Sequence, residues 1–126
     1  MSTRAQIKVV GVGGEELWFY RHSDGYLEGV LPTLSRFLEW RKTGRIRDNV
    51  QQACGWLVIL GNTENSAGTE PKSELVMGWK VGAYEPCSPV FHGDIEFFYV
   101  VDLVKATIVV NAYNDGKLTF LQEIEA

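Results

Sequence analysis

Three features are missing from this 126-residue chain, and each absence narrows what it can do. There is no Cys-x-x-Cys pair. Cys54 and Cys87 are the only cysteines and stand far apart, which excludes a disulfide framework and fits a reducing, cytoplasmic setting. There is no long apolar run. The longest, Trp56 to Leu60, falls far short of the roughly 20 residues that cross a bilayer. Residues Met1 to Gln6 hold no apolar stretch of the kind a signal peptide carries, so no membrane association is expected. The chain also lacks net positive charge. A formal charge of −4 and a pI near 5.1 argue against broad nucleic-acid binding, which wants a basic surface.

What is present fits one folded domain, residues 1–126. The chain is long enough to bury a single core, and 45% of its residues are apolar. Ile7 to Val12 reads as a strand, Gly13-Gly14 as a turn and Glu16 to His22 as the return strand. Alternation along that second strand places Leu17, Phe19 and Arg21 on one face, with Trp18, Tyr20 and His22 on the other. From Gly29 to Lys42 the apolar spacing turns helical, with Pro32 expected in the first turn and Gly44 as the stop. Asp48 is the expected N-cap of a second helix, whose buried stripe is Val50, Ala53, Cys54, Leu57 and Leu60.

Asn62 to Ser73 reads as a surface loop, Leu75 to Tyr84 as a strand and Glu85 to Gly93 as a turn-rich connection. Ile95 to Val101, Thr107 to Tyr113 and Leu118 to Ile124 are strands, the last two joined by the hairpin signal Asn114-Asp115-Gly116. The order β-β-α-α-β-β-β-β predicts an α+β fold: an antiparallel sheet with two helices packed on one face.

The two histidines carry the chemical interest. His22 and His92 each stand two residues before an aspartate, Asp24 and Asp94, with glycine beside the aspartate and aromatics close by. Two imidazoles and two carboxylates could hold a divalent metal such as Zn²⁺, Mn²⁺ or Fe²⁺. Glu96 would then act as general base in a small metal-dependent hydrolase. The same region could instead line a metal-free pocket of Arg21, His22, Asp24, Tyr26, Tyr84, His92, Asp94 and Glu96. Aromatics would stack on a small ligand such as a nucleotide, Arg21 would clamp an anion, and the carboxylates would accept hydrogen bonds. Against both stands a plain alternative, in which each aspartate caps a turn and the aromatics belong to the sheet.

Other signals carry less. Arg36, Arg41, Lys42, Arg45 and Arg47 cluster around the end of the first helix, where cations complement the helix dipole; they could also meet phosphate or an acidic partner. Gly11-x-Gly13-Gly14 follows a strand but precedes another strand, so it forms no phosphate cradle. Cys54 lies on an apolar helix stripe, and nothing in the sequence orients Cys87 toward His92.

The run Tyr20-Arg21-His22-Ser23-Asp24-Gly25-Tyr26, followed by Gly29-Val30-Leu31-Pro32, resembles a motif of small phage and prophage proteins. His92-Gly93-Asp94-Ile95-Glu96-Phe97-Phe98-Tyr99 resembles their second signature; Leu27 stands where that family has proline. The resemblance implies an accessory protein that binds a small ligand or blocks a host protein, and it brings no catalytic residues. The expectation is therefore a non-enzymatic binding protein. A two-His, two-Asp hydrolase and a homodimer built through a sheet edge are the alternatives.

Overall fold

The computed structural model describes residues 3–63 and 83–125. Its elements are β1 (Ala5–Val10), β2 (Glu16–Arg21), α1 (Leu27–Lys42), α2 (Val50–Thr63), β3 (Glu85–Cys87), β4 (Phe97–Asp102), β5 (Thr107–Asn114) and β6 (Lys117–Glu125). Six strands form one sheet in the order β3-β2-β1-β4-β5-β6. The described residues form an α+β fold with two helices. Among the described residues no helix is long and apolar enough to cross a membrane.

Period-2 alternation decides which sheet face carries the core. Ala5, Ile7 and Val9 of β1, Phe19 of β2, Tyr99 and Val101 of β4, and Ile108 and Val110 of β5 are buried in one cluster. Val30, Leu34, Phe37 and Leu38 of α1 join them, as do Val50, Ala53, Cys54, Leu57 and Leu60 of α2. The stripe expected for the second helix is therefore the one that packs, and Trp56 to Leu60 is helical.

Four expectations need correcting. The sheet is not wholly antiparallel, because β1 and β4 run parallel in register from Ala5↔Phe97 to Val10↔Asp102. Parallel neighbours need a long crossover, here supplied by the chain between β1 and β4, and apolar periodicity says nothing of strand direction. The strand expected over Leu75 to Tyr84 falls mostly outside the described residues, and its last two residues are not in a strand. Instead Glu85–Cys87, in the stretch read as turns, forms β3 against Trp18–Tyr20. Pro86 is tolerated there because an edge strand does not need every N–H.

The cap of α2 is Asn49 rather than Asp48: the Gln52 N–H donates to Asn49 Oδ1 at 3.0 Å. Asp48 instead sends its side chain toward Arg41 at 3.6 Å and accepts the Val12 N–H on its carbonyl. Finally, α1 begins at Leu27, so Pro32 lies in the second turn rather than the first.

Turn chemistry closes the remaining connections. Asp115 and Gly116, at φ 49° and 78°, make the two-residue turn that joins β5 to β6. Asp102 Oδ1 accepts both the Val104 and Lys105 N–H groups at 2.9 Å and shapes the turn after β4.

The cysteines differ in environment. Cys54 is 3% exposed, and burial pushes its thiol up to about 12. Cys87 is half-buried at the sheet margin. A thiol reagent at pH 8 is expected to label Cys87 in the native protein and Cys54 only after unfolding, measured by mass spectrometry of digested protein. Equal labelling rates at the two positions would contradict this packing.

Candidate functional site

β2 presents Trp18, Tyr20 and then His22 away from the helices, as its alternation dictates. This second face of the sheet is roofed by the segment between β3 and β4. Phe91 from that segment enters an aromatic group, with ring centroids 5.3 Å from Trp18, 4.9 Å from Phe98 and 5.1 Å from Tyr113. The next residue, His92, stacks on Tyr20 at 4.6 Å with an interplanar angle of 22°.

One buried side chain ties this roof down. Gln6 projects from β1 on the same face and is fully buried. Its amide nitrogen donates to the Val90 carbonyl at 2.9 Å, and its amide oxygen accepts the His92 N–H at 2.9 Å. The glutamine thus imitates a strand partner and brackets Phe91 from both sides.

The two histidine-bearing bends therefore meet, with Tyr20 between them. His22 lies 5.9 Å from Tyr20, ring to ring. Its Nδ1 accepts from Arg4 Nε at 3.4 Å and sits 3.1 Å from the Tyr20 hydroxyl. Asp94 closes the group, 3.2 Å from Arg4 Nε and 3.5 Å from the Tyr20 hydroxyl. An arginine nitrogen only donates, so Nδ1 is the acceptor and the neutral ring of His22 carries its proton on Nε2. Burial raises the Tyr20 phenol above its ordinary value, and the Asp94 carboxylate adds to this. His22 and Asp94 are exposed and Arg4, Tyr20 and His92 half-buried, so the cluster faces solvent.

The remaining sequence candidates fall elsewhere. Arg21 and Tyr84 are buried, 1% and 2% exposed, and Arg21 is no clamp for a solvent-borne anion. Its guanidinium donates to the Ser23, Asp24 and Gly29 carbonyls at 3.1, 3.3 and 3.0 Å. It also lies 5.0 Å above the Tyr84 ring. Asp24 takes a left-handed conformation, φ 54°, and its carboxylate raises the exposed Tyr26 phenol beside it. Glu96 extends the sheet with its backbone, donating to the Arg4 carbonyl and accepting from Tyr113, while its side chain is exposed.

The four-ligand metal set His22, Asp24, His92 and Asp94 does not assemble. Among the described residues no three His, Cys, Asp or Glu side chains gather closely enough to hold a metal ion. Asp24 turns toward Tyr26, and the cation already beside Asp94 and His22 is Arg4. Glu96 consequently has no metal-bound water to activate.

Much of the first motif has a packing reason. A Cβ at Gly25 would come 2.8 Å from the Ala5 Cβ, and one at Gly29 would come 2.3 Å from the Asp24 carbonyl oxygen. Only glycine lets the turn and the first turn of α1 approach this closely. Tyr99 secures the same turn, donating from its buried hydroxyl to the Gly25 carbonyl at 2.8 Å.

Sequence reading missed Arg4 and Gln6. Gln6 alternates with the apolar residues of β1, a signal for the second face, but its link to residues 90 and 92 comes only from the fold. Arg4 carries no local signal.

No protein-family model, curated protein or solved structure matches the chain. The site is thus read from its own chemistry.

Proposed function

We propose that this chain is a non-enzymatic accessory binding protein of the phage or prophage type. It engages a small ligand or a host protein non-covalently, as an inhibitor, through the surface built around Tyr20. The observation that supports this reading is the convergence of His22 and His92 on one tyrosine ring, beside the Arg4–Asp94 ion pair. The group offers an imidazole N–H donor, a partly exposed carboxylate acceptor, a guanidinium and stacked ring faces. That is recognition chemistry, and among the described residues no set of metal ligands joins it. Val90 and Phe91 extend the surface with apolar area, at 60% and 41% exposure.

The test has a ligand arm and a partner arm. A thermal-shift screen with nucleotides reports any ligand that binds only the folded state, because such binding raises the melting temperature. Capture from a bacterial lysate on immobilised protein reports a host partner. His22→Ala and His92→Ala are each expected to weaken whichever interaction is found by about tenfold, roughly 1.4 kcal/mol. Binding of undiminished strength in both variants would place the interaction elsewhere and end this reading.

A further inference from the structure

The two margins of the sheet are built differently. β3 is three residues long and contains Pro86. β6 spans nine residues, and no described residue pairs with its outer side. Sheets ordinarily blunt their edges with short strands and proline, as β3 does, because an open row of N–H and C=O groups is a template for another strand. β6 is long and proline-free, and it carries Leu118, Phe120 and Leu121 at 42%, 61% and 46% exposure.

An irregularity in β6 selects how it can pair. Asn111 opposes Phe120 and Val110 opposes Gln122, so Leu121 is an extra residue. Side-chain alternation therefore shifts by one at that point. Leu118 and Phe120 share the face of Tyr113 and Asn111, whereas beyond the bulge Glu123 and Glu125 share it, opposite Val109 and Thr107. Thr119, Gln122 and Ile124 face the other way, with Ala112, Val110 and Ile108.

We propose that a second copy of this chain pairs antiparallel with β6, about a two-fold axis between Phe120 and Leu121. Lys117 then faces the partner's Ile124, Leu118 the partner's Glu123, Thr119 the partner's Gln122, and Phe120 the partner's Leu121. The bulges of the two copies meet at the axis, so the shift in one strand is matched by the shift in the other. Opposed residues on both sides of the bulge then share a face, whereas a slip of one residue sets them on opposite faces. Charge agrees with this register. The Lys117 end of each strand lies along the Glu123–Glu125 end of the other, and no like charges are opposed. The exposed Phe120 and Leu121 of both copies meet at the centre, and the two sheets become one of twelve strands.

Analytical ultracentrifugation of the full chain across a concentration series tests this. An edge pairing of this size is expected to dimerise with a dissociation constant in the micromolar range or weaker. Phe120→Lys, at an exposed position that leaves the protomer fold intact by circular dichroism, is expected to weaken it at least about tenfold. The register is read by Thr119→Cys/Gln122→Cys in a Cys87→Ser background. Within one strand these positions are about 10 Å apart, beyond disulfide reach, so mild oxidation can join them only between copies. A covalent dimer is expected from this pair and none from Thr119→Cys/Glu123→Cys. A chain that stays monomeric throughout, whether or not another protein's strand uses the edge, overturns the proposal. So does a dimer that Phe120→Lys leaves unchanged, or one that the Thr119/Gln122 pair fails to lock.

Discussion

Arg21→Met is expected to destabilise the protein by about 3 kcal/mol or more, a large share of an ordinary total stability of about 5–15 kcal/mol. The reason lies in what the guanidinium satisfies. Ser23, Asp24 and Gly29 all present carbonyls to it where β2 turns into α1, and the Arg21 side chain is almost wholly buried. Methionine fills much of the volume but leaves carbonyls without donors, each lost partner costing about 1–3 kcal/mol when the group stays buried. It also removes the contact with the Tyr84 ring. Arg21→Lys is expected to recover less than half of the loss, since one ammonium cannot reproduce a planar fork that serves several acceptors. Urea denaturation of the two variants checks both statements. An Arg21→Met protein within about 0.5 kcal/mol of wild type, the range of an ordinary surface change, would show that the turn is held by something else.

Gln6→Ala is expected to cost about 2–4 kcal/mol, with the damage concentrated in the segment that carries Phe91 and His92. Three hydrogen bonds are lost at once: the Val90 carbonyl and His92 N–H are left without their partner, and the weaker contact to Cys87 Sγ at 3.5 Å goes with them. Hydrogen exchange separates this from a general loss of stability. The His92 amide should exchange far faster in the variant, relative to amides at the centre of β4, than in wild type. Gln6→Glu discriminates further. It keeps an acceptor for the His92 N–H but turns a carboxylate oxygen toward the Val90 carbonyl, so it should be no better than alanine at neutral pH. If His92 exchange is unaltered in both, the roof is held by its aromatic contacts alone. Because His92 stacks on Tyr20, the same variants should also weaken binding at the proposed site, although Gln6 is too deeply buried to touch a ligand.

These two residues show where sequence reasoning succeeds and where it stops. The face of β2 that bears Trp18, Tyr20 and His22 was legible, because a strand alternates whatever surrounds it. The same alternation put Arg21 with Leu17 and Phe19 on the other face, yet its residue type suggested an anion clamp. Nothing local shows that carbonyls of the following turn and of the first turn of α1 fold back over it. Asp24 follows the same logic: its spacing from His22 matches that of Asp94 from His92, but a left-handed turn swings it toward Tyr26. Two similar strings of residues thus acquire different surroundings, and a four-ligand site inferred from their likeness does not form.

The chain's own pattern settled the class of fold, both helices with their buried stripes, the β5–β6 hairpin and the meeting-place of aromatics on one strand face. All of these depend on contacts between residues near in sequence, or on a period that one element carries within itself. Tertiary structure alone decided that β1 runs parallel to β4, that Gln6 grips residues 90 and 92, and that Arg4 stands between His22 and Asp94. Those pairings join residues 18 to 92 positions apart. Their energies exist only once the sheet has brought the strands together, and no local preference of either partner encodes them.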